Sequence, residues 1–118
     1  MKTLIRSVAA LSLLWTATAL AHTHLVRSTP ADGAELASAP SEAVLVFAEP
    51  ITMATAKIES TEGFKAALTP PPSAQAEVHL KLPALAPGRY QLNWRAASTD
   101  GHVMSGHLSF TVGNTPHP

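Results

Sequence analysis

The chain has no cysteine. That excludes disulfides, thiolate metal sites and cysteine nucleophiles, which small exported domains often use. Aromatic residues make up only 5 % of it, so a packed core must come mostly from aliphatic side chains. Positive charge is scarce too: eight Lys and Arg are matched by eight Asp and Glu, with no basic patch of the kind nucleic acid requires. No Ser lies in a nucleophile-elbow pattern, and neither a Gly-rich phosphate loop nor a zinc-protease motif occurs. Glu49 and Asp100 are a conceivable carboxylate pair for hydrolysis, but a domain this small leaves little room for a substrate cleft. The expectation is a protein that is not an enzyme.

What is present begins with an export signal. Lys2 and Arg6 precede a mostly apolar run from Val8 to Leu20, and Ala19-Leu20-Ala21 is a small-x-small cleavage site. Residues 1–21 therefore read as a cleavable secretory signal peptide. The apolar run is short for a membrane anchor. Cleavage after Ala21 leaves one domain, 22–118, with six basic and eight acidic side chains and a formal charge of −2. The domain is expected to be exported across the inner membrane.

The domain is punctuated for strands. His24 to Arg27 is a short extended run, and Pro30-Ala31-Asp32-Gly33 is a turn by composition. Ala43 to Glu49 is a strand with two apolar faces, expected to stop at Pro50, which has no ladder donor. Thr52 to Ser60 alternates in part, with Met53, Thr55, Lys57 and Glu59 on one face. Glu77 to Leu82 turns Val78, Leu80 and Leu82 inward. Arg89 to Ala97 does the same with Tyr90, Leu92, Trp94 and Ala96. Ser98 to Gly106 reads as a loop, and His107 to Val112 as the last strand. About seven short strands without a useful helix predict an all-β Greek-key sandwich, with an open barrel as the alternative closure. Tyr90, just after Pro87-Gly88, is a candidate tyrosine corner.

Signal cleavage gives the chemistry its starting point. It would make His22 the first residue, so that its free α-amine and its imidazole Nδ1 can chelate one metal ion. The amine's ordinary pKa near 8 lets a metal displace its proton at neutral pH. Nitrogen donors suit Cu(II), which also stands highest in the divalent affinity series. Thr99-Asp100-Gly101-His102 offers a second imidazole and a carboxylate between the two clearest strands. His24 is a rival ligand: a free terminus with His third can wrap Cu(II) through the amine, two backbone amides and that imidazole. Strand pairing opposes the loss of amide protons, so His24 is expected near the metal or as an alternative ligand. His79 reads as a surface residue, His107 as polar and His117 as part of a tail.

HTHLVRSTPADGA, LVFAEPI and PGRYQLNWRAASTDGHVMSGHLSFTV together resemble the CopC family of bacterial periplasmic copper-resistance proteins, across nearly all of 22–118. The resemblance implies an immunoglobulin-like or cupredoxin-like Greek-key fold. It implies a Cu(II) site built from His22, Asp100 and His102, with Glu49 as a further acidic ligand. It also implies copper sequestration or delivery and a CopD-type inner-membrane transporter as partner; a monomer is the expected state. Better-known members carry a Met-rich loop that holds Cu(I). The stretch 52–76 here has only Met53 and no His, so a Cu(II)-only protein is expected. Two other readings stay open: a copper redox enzyme with a histidine brace, and a metal-free immunoglobulin-like interaction module.

Overall fold

The computed structural model of the chain describes residues 24–113; the expected signal peptide, His22 and the tail from 114 lie outside them. Seven strands follow in order: β1 (Leu25–Thr29), β2 (Ala34–Leu36), β3 (Glu42–Ser60), β4 (Lys65–Leu68), β5 (Gln75–Lys81), β6 (Gly88–Ser98) and β7 (Val103–Val112). All regular structure among the described residues is strand, as the turn spacing predicts.

The backbone of the architecture is β3, a single strand of 19 residues. Pro50 does not end it, contrary to expectation. β1 pairs with β3 as far as Phe47, β5 breaks register between Val46 and Ile51, and β6 begins its pairing at Ile51. Pro50 thus falls where β3 exchanges one set of neighbours for another, and its missing N–H costs little there. The first half of β3 lies between β1 and β5, and the second half pairs with β4 and β6. The sheet curls through this shared strand and encloses its own core.

Both halves supply that core. Leu45, Phe47, Val78 and Leu80 come from the first, and Ile51, Ile58, Leu92, Trp94, Leu108 and Phe110 from the second. Phe47 meets Trp94 edge to face at 6.2 Å, joining the two. A register irregularity between Met53 and Thr55 resets the alternation of β3. Met53 consequently points inward with Ala56 and Ile58, while Thr55 and Lys57 face solvent. The expected grouping of Met53 with Thr55, Lys57 and Glu59 fails because a bulge shifts the period by one residue.

Three local features were partly or wholly hidden in the sequence. β2 is too short to show periodicity, and it forms by parallel pairing with β7. The preceding turn docks there: Gly33 N–H donates to the Ser109 carbonyl at 2.7 Å, and Asp32 Oδ1 accepts from Ser109 N–H at 2.8 Å. The loop expected from Ser98 to Gly106 is much shorter, because β7 already begins at Val103, paired with Ala97. The tyrosine corner forms, with the Tyr90 hydroxyl donating to the Ala86 carbonyl at 2.5 Å.

Gly106 pairs with Trp94 across β6 and β7. A Cβ at this position would lie 2.4 Å and 2.7 Å from carbons of the Trp94 indole, which is buried and cannot swing away. Gly106→Ala is therefore expected to destabilise the fold by about 1–3 kcal/mol through overpacking. Urea denaturation followed by Trp94 emission checks this; an unchanged midpoint would show that the indole relocates freely.

Candidate metal centre

One end of the fold brings together His24, Glu49 and the turn that carries Asp100 and His102, through backbone pairing. His24 lies one residue before β1, and its carbonyl accepts from Ala48 N–H at 2.9 Å. Glu49 follows immediately on β3 and is exposed. Two residues on, Ile51 pairs with Ser98, the last residue of β6. His24 and Ser98 are therefore anchored to positions on β3 that are three residues apart, about 10 Å at the ordinary strand rise of ~3.3 Å. The start of the domain, Glu49 and the β6–β7 turn share one rim.

That turn is tightly specified. Ser98 N–H donates to the His102 carbonyl and Gly101 N–H to the Ser98 carbonyl, both at 2.9 Å. Gly101 has φ of +91°, which favours glycine between Asp100 and His102. His102 Nδ1 lies 3.0 Å from Asp100 Oδ1, and these side chains are 73 % and 66 % exposed, so solvent ions can reach both. The Ser98 hydroxyl donates a short hydrogen bond to the same Oδ1. His102 N–H reaches Ser98 Oγ at 3.2 Å and Asp100 Oδ1 at 3.4 Å.

This geometry has electrostatic and coordinative consequences. The Ser98 hydroxyl first, and the His102 ring and backbone next, hold the Asp100 carboxyl down at about 2. It is an anion at any pH where imidazole is neutral, as a metal ligand must be. Cis ligands with bonds of about 2.0 Å sit about 2.8 Å apart in a square plane. The 3.0 Å between His102 Nδ1 and Asp100 Oδ1 is close to that spacing; a cation held by both would lie off the line that joins them, with each group turned toward it.

The other predicted positions separate clearly. His22 lies outside the described residues. Among the described residues no three His, Asp or Glu side chains converge as a metal cluster. His107 lines an open recess of about 660 Å³ on the outer face, with Lys57, Asn93 and Arg95; Glu49, Asp100 and His102 do not line it. His79 is exposed, as expected, but sequence reasoning missed its partners. Its Nδ1 is 2.7 Å from Glu42 and its Nε2 is 2.8 Å from Glu77, and those two contacts, Glu42 foremost, raise its pKa. The two carboxylates hold opposite ring nitrogens and do not face a common point. The contacts of the Ser98 hydroxyl were also missed. A Ser two residues before Asp and four before His is the local signal for such a hydroxyl-capped turn.

Comparison with known proteins follows the same residues. A family model described as the CopC domain matches residues 25–113. The copper resistance protein C of Xanthomonas campestris pv. juglandis is 34 % identical over 110 residues, covering 84 % of this chain and 86 % of that one. The copper transport protein CutJ of Bacillus subtilis is 30 % identical over 102 residues, covering 81 % of this chain but only 19 % of that protein. Among solved structures, the crystal structure of CopC from Methylosinus trichosporium OB3b superposes with a TM-score of 0.66 at 28 % identity, covering 78 % of this chain and 94 % of that one.

Proposed function

The chain belongs to the CopC family, and from that premise we propose that it is a periplasmic Cu(II)-binding protein that sequesters or delivers copper without turning over a substrate. The observation that carries the proposal is the Asp100–His102 pair, spaced 3.0 Å apart on the rim where the domain begins. Residues 1–21 are the signal peptide, and export frees the His22 α-amine as a ligand. Two residues span up to ~7 Å, so His22, attached through Thr23 to the anchored His24, has the reach to bring its amine and imidazole toward the turn. Glu49, exposed on the same rim, supplies a further oxygen, and His24 remains the alternative imidazole.

Copper is the cargo here, and Cu(II) the oxidation state. Amine, imidazole and carboxylate are donors for the cupric ion, whereas Cu(I) favours several thioethers. Met53 is only 3 % exposed, within the core, and Met104 packs against it, which supports a protein with one cupric site. The partner is an inner-membrane transporter of the CopD type. This is supported by CutJ, in which a domain like this one accounts for a small part of a chain named for copper transport. The protein acts as a monomer.

Titration of the processed protein with Cu(II), followed by electron paramagnetic resonance, tests the site. His102→Ala is expected to weaken binding by at least about 100-fold, since even indirect partners of metal ligands are worth 10–100-fold. It should also leave a spectrum of the amine-and-His24 type. Parent-like affinity and spectrum would remove His102 from the site. Bound Cu(II) should raise the melting temperature with concentration, and a flat response would favour a metal-free module. Ascorbate-driven oxygen consumption that depends on His22 would favour an oxidase.

A further inference from the structure

An exposed turn is a poor platform for metal ligands unless something holds its side chains, because ordering them on binding costs affinity. Asp100 and His102 project largely into solvent. Ser98 contributes order from within the turn. This residue is half-buried at the end of β6, its strand position fixed by pairing with Ile51 and its N–H by the His102 carbonyl. Its hydroxyl has one proton to give and gives it to Asp100 Oδ1. Its oxygen accepts the His102 N–H at 3.2 Å. One side chain thus links the acid's carboxylate to the histidine's backbone, and the Asp100–His102 contact at 3.0 Å closes the set.

We propose that Ser98 is a positioning residue for copper, whose hydroxyl sets the Asp100 carboxylate and the His102 ring at ligand spacing before the metal arrives. The proposal rests on the reading of Asp100 and His102 as ligands. It gives Ser98, two residues before Asp100 and four before His102, a task of its own. Losing the hydroxyl removes a donor from Oδ1 and an acceptor from His102 N–H, so both residues gain freedom at once. The position tolerates Thr, because Ser98 ends a strand and a β-branched side chain suits that backbone. Thr keeps the hydroxyl.

The test compares Ser98→Ala and Ser98→Thr with the parent, all as processed protein, by competitive Cu(II) titration and electron paramagnetic resonance. Metal-free melting curves run in parallel. Ser98→Ala is expected to bind Cu(II) about 10–100-fold more weakly, with altered copper hyperfine splitting and a metal-free melting temperature close to the parent's. Ser98→Thr is expected to restore both affinity and spectrum. A Ser98→Ala protein with the parent's affinity and spectrum overturns the proposal. So does a loss of affinity that Ser98→Thr fails to rescue. Asp100→Asn and His102→Ala distinguish the two levels. If these lose copper while Ser98→Ala does not, only the positioning role falls. If neither loses copper, the ligand reading falls and the Ser98 role with it.

Discussion

A form of the protein that retains Ala21 ahead of His22 is expected to bind Cu(II) more than about 100-fold more weakly than the processed form. In the processed form the nitrogen of His22 is an amine with an ordinary pKa near 8, which yields its proton to a metal at neutral pH. In the unprocessed form the same nitrogen belongs to a peptide bond, its lone pair delocalised into the carbonyl. The chelate ring between amine and imidazole is lost with it, and His22 keeps one donor in place of two. The metal-free fold should not notice. β1 begins at Leu25, and the buried core is drawn from Ala43 to Val112. Equal metal-free melting temperatures with divergent copper affinities are therefore the expected pair of results. Equal affinities would mean that the terminal amine is not a ligand and that the His22-based site is wrong.

Phe110→Ala carries the largest expected effect on the fold itself. Phe110 is 1 % exposed, and its ring stacks on Tyr90 with centroids 5.8 Å apart. Truncation opens a cavity on the inner face of β7, where Leu108 and Val112 cannot close it without breaking strand alternation. The cost is about 3–5 kcal/mol. For a domain of this size a loss of 3 kcal/mol lowers the melting temperature by at least about 12 °C. With no disulfide to restrain the unfolded chain, that is a large part of a total stability of roughly 5–15 kcal/mol. Calorimetry of the metal-free protein measures it. A shift of only a few degrees would show that the core around Tyr90 collapses into the space.

The metal experiment and the stability experiment bear on different parts of one design. The core fixes β3, β6 and β7, and these deliver Glu49 and the Asp100–His102 turn to the rim. The rim itself contributes little to folding, being exposed and polar. Copper binding and core packing should therefore be separable in variants, except that bound metal adds its own stabilisation to the native state.

The sequence by itself determined the strand content and the inward sets on β5, β6 and the end of β7. Strict alternation such as Tyr90, Leu92, Trp94, Ala96 has one physical outcome in a half-buried strand. It also placed residue types able to hold a metal, Asp100 and His102, on either side of the turn residue Gly101. Tertiary structure alone decided the rest. That Pro50 lies within a strand depends on where β1, β5 and β6 meet β3, which no local pattern encodes. The bulge after Met53 reverses a face that alternation had assigned, since a single inserted residue moves every later side chain across the sheet. β2 exists only because β7 is beside it. The 3.0 Å between Asp100 and His102, and the hydroxyl of Ser98 that ties them, arise from a turn closed by ladder pairing on both sides. Spacing along the chain names the two residue types, but only closure in space sets the distance between them.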